Sequence, residues 1–435
     1  MSVIRVEAKY YVLASISVML AWGLEYYDAI LFGTLSSILE SVFNLTLVST
    51  WFAFAVTYLV RPLGAILFGY VGDRFGRRLA TMADSLAIGL SSLAIALLPT
   101  YREVGLLAPI LLYVFRIIIG LGLGGEAGGG ATWALEQVNP RWKPILNGVM
   151  YSGLSWAVFL TAFVSSLTLA RLGKVAFQAW GWRIPFAVGA ALAIVALVIR
   201  VFGLESPEWS EAKARGRVRR VPLASRDVWN LGMLILILIN LGLTIYYYGG
   251  LGYWTYTIPV KVAPAFHVSR TYAEGYVFTL AEFGGLGAVV GEVLSGLLVN
   301  AVGIRRSFIY PSVALLATSI PLASYALAFN PYSPYLSFIS GILFGLAAAP
   351  QTMYFTSLFP VESRWSAVSL GWNINSVVGS FAALLSVILI EEGLATGQLA
   401  LYGSLLMVLG SLLVIVGAAI KPRRLYAKAE ENYMY

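Results

Sequence analysis

Glu25, Asp28, Arg61 and Arg116 each lie inside a stretch that is otherwise apolar. A charge at bilayer depth costs several kcal/mol unless it is paired or hydrated, so each is a functional candidate by default. Glu25 and Asp28 are three residues apart and share one helix face. At about 1.5 Å of rise per residue, Asp28, Arg61 and Arg116 all come near mid-membrane. A carboxylate whose ionised form is penalised by desolvation and favoured by a neighbouring guanidinium can load and release a proton. This chemistry makes Asp28 or Glu25 the protonation site, with Arg61 or Arg116 as counter-charge and as competitor for a substrate carboxylate. The alternative is a static buried ion pair, because structural pairs titrate abnormally as well.

Other candidates are less specific. Glu126 lies in the run Gly120 to Gly130, whose glycines let a second helix approach closely. It stands last among the proton-coupling candidates, and a bond to a neighbouring helix or to gate arginines is expected ahead of direct proton transfer. A nucleotide-loop reading of that run fails, since no strand precedes it. The aromatic cluster Tyr246 to Tyr256, with Tyr247, Tyr248 and Trp254 as its substrate candidates, could line a cavity and hold an organic cation, or form an interfacial belt. Tyr27, Asn373 and Asn375 complete the substrate-binding set. Glu282 and Glu292 are polar positions suited equally to helix packing.

The elements that position these residues follow from composition. Of 435 residues, 59% are hydrophobic and 11% charged, with a mean hydropathy of +0.81. A soluble domain is nearer one quarter charged, so the chain is read as an all-α membrane protein. There is no Cys and a single His, His267, which excludes thiolate catalysis, Cys-ligated metal and a His relay. No metal or cofactor is expected. Basic residues lie between apolar runs, so the net charge of +8 speaks for topology and not for nucleic acid.

Spacing of charges, Gly and Pro predicts twelve spans, roughly 11–39, 49–71, 80–99, 107–136, 144–170, 183–203, 229–260, 273–299, 308–328, 335–358, 367–390 and 398–420. The alternating ten-residue segments of a membrane barrel are absent. The first span lacks a cleavage site and is not a removable signal. With the N-terminus inside, outer segments carry only Arg102, Arg171, Lys174, Arg183, Lys261 and Arg270, against twenty Lys and Arg in inner ones. Both termini are therefore expected in the cytoplasm of a multi-pass cell-membrane protein. The stretch Glu205 to Asp227 divides six spans from six, giving an N-terminal half 1–204, a basic linker 205–228 and a C-terminal half 229–435. The linker charge reads as a topological anchor, or as a lipid-headgroup sensor.

Two motifs recur. Gly69-Tyr-Val-Gly-Asp73-Arg74-Phe-Gly76-Arg77-Arg78 follows span two, and Gly296 to Arg306 follows span eight, with Asn300 for Asp73 and Ala301 for Arg74. Glu136 to Arg141 after span four is echoed by Leu358 to Arg364 after span ten. Parallel halves of this kind place a substrate site at their interface.

The first of these strings resembles the signature loop of the major facilitator superfamily. Leu24 to Asp28, Arg61 to Ala65, Gly124 to Gly129, Gly181 to Phe186 and Glu205 to Trp209 are similar to the metabolite:proton symporter family within it. The resemblance implies two pseudo-symmetric six-helix halves and uptake of small organic acids or zwitterions by alternating access, with H+ as coupling ion. Arg116 begins a string like the superfamily's span-four arginine motif, with Ile119 where Gln is usual. Gly69, Asp73, Arg74, Gly76, Arg77 and Arg78 make physical sense as a gate latch: the glycines allow a tight turn and the charges can pair when the cytoplasmic face closes.

The rival readings are a passive facilitator or a sugar:proton symporter of the same superfamily. Glu205-Ser-Pro-Glu-Trp209 fits a sugar porter, but the paired glutamines of its span seven are missing. Drug export lacks its Gly-Pro pattern in span five. Nothing supports an enzyme: there is no metal-ligand cluster, no Ser-His pair and no H-E-x-x-H. A monomer in the bilayer with a small-molecule substrate is expected.

Overall fold

The structure, a computed structural model, describes residues 8–217, 226, 228–247, 258, 262–391 and 396–422. Its frame is a set of long helices: α1 (Ala8–Thr34), α2 (Leu47–Leu59 continued by Arg61–Arg74), α3 (Arg77–Ala96), α4 (Leu107–Leu135), α5 (Lys143–Ala176) and α6 (Arg183–Val201) in the first half. The second half holds α7 (Leu231–Thr244), α8 (Arg270–Val302), α9 (Ile304–Leu327), α10 (Ser333–Ala348 continued by Gln351–Ser357), α11 (Arg364–Glu391) and α12 (Thr396–Ala419). Nine helices among the described residues are long and apolar enough to cross a bilayer, and α1, α7 and α11 complete the twelve-helix plan. Among the described residues there is no strand, as lipid requires of a chain that does not close into a barrel.

Polarity is inverted relative to a water-soluble protein. Leu63, Leu90, Ile110 and Leu297 are exposed, whereas Arg61, Arg77, Arg116, Arg200, Asp73, Asp84 and Glu126 are buried. Only a lipid surround makes that arrangement favourable, because apolar side chains lose nothing by facing hydrocarbon.

Three expected boundaries change. Span one, read as 11–39, is α1 plus a separate short helix, Ser36–Phe43, with the break at Leu35. Span two breaks at Val60, one residue before Arg61, where Pro62 has no N–H to give the preceding turn. Span ten is likewise interrupted before Gln351, after Pro350. The halves repeat one local device: Gly76 (φ 135°) turns α2 into α3, and Gly303 (φ 81°) turns α8 into α9. L side chains rarely adopt either conformation.

The two halves meet along α5 against α8, and along α2 and α4 against α11. Close approach depends on the span-four glycines. A Cβ on Gly128 would lie 2.5 Å from Ser369 N, and one on Gly129 would lie 1.9 Å from the Trp365 ring.

Candidate functional site

Asp28 and Arg116 form an ion pair between α1 and α4, through Asp28 Oδ2 and Arg116 Nη1. Both are buried. Arg116 Nε donates to Ala53 O at 3.3 Å, Thr57 Oγ1 donates to Arg116 O at 3.2 Å, and the guanidinium lies 4.3 Å from the Phe32 ring centroid. Asp28 Oδ1 and Arg116 Nη2 make no hydrogen bond among the described residues. The side chain of Glu25 lies outside the described residues.

Arg61 serves a different contact. From the break in α2 its Nε donates to Asn373 Oδ1 at 2.6 Å, while Asn373 Nδ2 donates to Gly124 O at 2.8 Å and to Ser369 O at 2.7 Å. Asn373 thereby joins α11 to α2 and α4 across the two halves. Asn375 donates to Gly371 O of its own helix at 3.0 Å. The Tyr27 hydroxyl donates to Pro185 O at 2.9 Å, fixing α1 to the start of α6. One residue along a helix is about a 100° turn, which carries Tyr27 off the face that holds Asp28.

Glu126 pairs within the first half. Arg200 Nη1 and Nη2 donate to its two carboxylate oxygens at 2.6 Å each, and Arg200 also reaches Asp84 at 3.3 Å. The gate arginines are not its partners. Two carboxylates therefore share one guanidinium among α3, α4 and α6. Asp84 and Arg200 were missed in the sequence, although the rule that singled out Asp28, a charge inside an apolar run, applies to both.

The signature loop lies in a buried charge network that joins the two halves. Arg77 is the buried cation of that network: it pairs with Asp73 and lies 3.3 Å from Glu136, and its Nη2 donates to Val361 O of the second half at 2.6 Å. Arg74 is exposed and lies against Tyr70 and Phe75. Asp73 Oδ2 accepts from Ser366 N and Oγ of α11, and Arg364 Nη1 bridges Glu136 at 3.0 Å and Glu208 at 2.7 Å. Arg78 donates to the carbonyls of Arg200 and Val201. In the degenerate copy Arg305 caps the end of α12, at Ala418 O and Ala419 O, and does not cross between the halves.

The linker packs into the same charge network. Its helix Pro207–Ala214 buries Trp209, whose Nε1 donates to Asp73 O at 2.9 Å. Glu205 accepts from the main-chain N–H of Arg77 at 2.9 Å and of Ser206 at 2.8 Å, Ser206 Oγ donates to Glu136 at 2.5 Å, and Arg217 pairs with Glu362. Burial pushes the Glu205 carboxyl above the usual range, against the N–H groups of Ser206, Arg78 and Arg77. Burial also pushes Glu208 up, but Arg364 and Lys143 outweigh it and leave that carboxyl below its ordinary value.

Between the halves lies a small pocket, lined by Tyr151, Leu154, Ser155 and Val158 of α5, Tyr247 after α7, Glu292 of α8 and Phe344 of α10. Asp28, Arg61 and Arg116 do not line it, so this pocket is not where the sequence centred the charges. Tyr247 does line it, whereas Tyr248 and Trp254 lie outside the described residues. Glu292 is buried and Glu282 half-buried.

Two helical halves joined by a charge network on one face, with ionisable groups and a pocket held inside, have the architecture of a membrane transporter. The chain belongs to the Major Facilitator Superfamily, whose profile matches residues 11–384. It is 31% identical to the inner membrane metabolite transport protein YhjE of Escherichia coli K12, over 80% of this chain and 79% of that one. It is 27% identical to the proline/betaine transporter of the same strain, over 92% and 81%. A crystal structure of a double-Trp mutant of XylE matches with a TM-score of 0.73 at 17% identity, covering 98% of each chain, which shows the twelve-helix fold. The protein is thus a metabolite transporter of that superfamily.

Proposed function

We propose that the protein is a proton-coupled symporter that imports a small organic acid or zwitterion, with the proton itself as coupling ion and no bound cofactor. In this reading it is a monomer of the cell membrane with both termini, the linker and the latch on the cytoplasmic side. The observation that carries the reading is the buried Asp28–Arg116 pair. In the empty carrier each charge neutralises the other. A proton arriving from outside at the Asp28 carboxylate removes one partner and frees Arg116 to take a cargo carboxylate. A proton alone or cargo alone leaves an uncompensated charge at depth, at a cost of roughly 3–5 kcal/mol, and the carrier that turns over is loaded with both. Once the latch opens, cargo departs, Arg116 recaptures Asp28 and the proton leaves to the inside.

The test is uptake into reconstituted vesicles on an imposed inward pH step. Wild-type protein should accumulate cargo against its gradient, and Asp28→Asn should abolish accumulation while sparing exchange. An Asp28→Asn protein that still concentrates cargo removes this residue from coupling, and wild-type uptake that only equilibrates cargo identifies a passive facilitator.

A further inference from the structure

Glu292 is a buried acid that the coupling scheme leaves unused. Its side chain, 1% exposed on α8, forms part of the pocket wall between the halves. Ser155 Oγ of α5 donates to Oε1 at 2.8 Å. Oε2 makes no hydrogen bond among the described residues, nor does any Lys or Arg among them form an ion pair with Glu292. A carboxylate at this depth is unfavourable without a cation, and the remaining walls are aromatic: Tyr151, Tyr247 and Phe344. The Tyr247 and Phe344 rings have centroids 5.8 Å apart, and Tyr151 is backed by Trp22 at 5.5 Å. Leu154 and Val158 supply aliphatic surface.

An acid among ring faces is the arrangement that holds an ammonium group. The charge meets the carboxylate, the ring quadrupoles attract the cation's face, and N-alkyl groups find apolar contact. A cargo carboxylate in the same place would meet a like charge. One carboxylate with the hydroxyls of Ser155, Tyr151 and Tyr247 is also not the carboxylate- and carbonyl-rich oxygen set of a resident divalent cation.

We propose that this pocket is a cation subsite that takes the ammonium head of an amine-bearing or zwitterionic cargo, with Glu292 as its counter-ion and Ser155 as a positioning residue. The inference rests on the reading of the protein as a carrier of small metabolites and narrows its cargo class. It does not depend on Asp28 or on protons.

The experiment is ligand binding to the purified full-length protein in detergent, read by intrinsic tryptophan fluorescence and thermal midpoint. The probes are glycine betaine, choline and L-proline, set against tert-butylacetate, which has the shape of glycine betaine with carbon in place of nitrogen. Glycine betaine should bind at least tenfold tighter than tert-butylacetate. Glu292→Gln, which can keep the Ser155 contact, should erase that preference, and Ser155→Ala should weaken glycine betaine several-fold. Binding in detergent involves no proton gradient, so a failure of proton coupling is read separately. The proposal is overturned if no cationic probe binds, if tert-butylacetate binds as well as glycine betaine, if Glu292→Gln keeps the preference, or if sodium chloride alone reproduces the stabilisation that potassium chloride does not. The probe comparison on wild-type protein decides the matter even if the variants fail to fold.

Discussion

Asp73 Oδ2 accepts two hydrogen bonds from Ser366, one from the main-chain N–H at 3.0 Å and one from the hydroxyl at 2.6 Å, binding the end of α2 to the first turn of α11 across 293 positions of sequence. Hydrogen bonds to a charged group are each worth about 1.5–3 kcal/mol. Asp73→Asn replaces one acceptor by a donor facing the Ser366 N–H, and should lower the latched population roughly tenfold or more. The chain has no Cys, so one cysteine introduced at buried Ser369 reports the change: a water-soluble maleimide should label it faster in the Asp73→Asn background. Equal labelling rates would mean that the Asp73 contact does not hold the face shut.

Arg116→Ala should weaken binding of an anionic cargo more than that of its neutral analogue. It also strands buried Asp28, so the thermal midpoint should fall by the equivalent of about 3–5 kcal/mol, and Asp28→Asn added to it should recover part of that loss. Unchanged binding of both cargo forms would reject Arg116 as the anion partner.

Glu126 holds Arg200 through two contacts of 2.6 Å, and Asp84 through one of 3.3 Å. Glu126→Gln should therefore cost more stability than Asp84→Asn, which removes the surplus acid of a group with two carboxylates and one guanidinium. Arg200→Leu should be the most damaging of the three, since it leaves two buried acids facing each other. Midpoints in one detergent rank them, and an Asp84→Asn protein weaker than Glu126→Gln would reverse the assignment.

Gly129→Ala puts a methyl 1.9 Å from the Trp365 ring, and Trp365 is fully buried. Overpacking of this kind costs about 1–3 kcal/mol. Most of that should be regained in the double variant with Trp365→Leu, whereas Trp365→Leu alone should be destabilising. A Gly129→Ala protein as stable as wild type would show that α4 and α11 can move apart freely.

The two linker acids should respond to pH in opposite senses. Glu208 is held below its ordinary value in the latched protein by Arg364 and Lys143, despite burial. Its contribution is complete above the free glutamate value of about 4.3 and is lost as pH falls through the lower latched value. Burial raises Glu205, so its ionisation works against the latch as pH rises from the free value through the raised one. Midpoints measured from acid to neutral pH should flatten at the acid end in Glu208→Gln and at the upper end in Glu205→Gln. Parallel curves for wild type and Glu208→Gln would reject the Glu208 contribution.

Asp28 and Arg116 could be singled out because one rule suffices: a charge in a long apolar run is expensive, and chain order shows the run. The choice of Arg77 over Arg74 could not be read in the same way. It depends on Gly76, whose φ of 135° restarts the chain as α3 and turns Arg77 inward, and a sequence does not print a dihedral. The linker's role was hidden for a related reason. Its basic composition speaks of topology, while Trp209 finds Asp73 O only once α6, which carries the chain into the linker, has packed on α3.

Composition and the order of apolar runs determined the membrane class, the twelve helices and the two related halves, because in lipid each helix satisfies its own backbone and needs no distant partner to exist. Tertiary structure alone decided the partners: that Arg364 serves Glu136 and Glu208, that Arg200 serves Glu126, and that Glu292 lies in the pocket wall. Those pairings depend on distances of a few ångströms between residues hundreds of positions apart, set by which glycines let which helices touch.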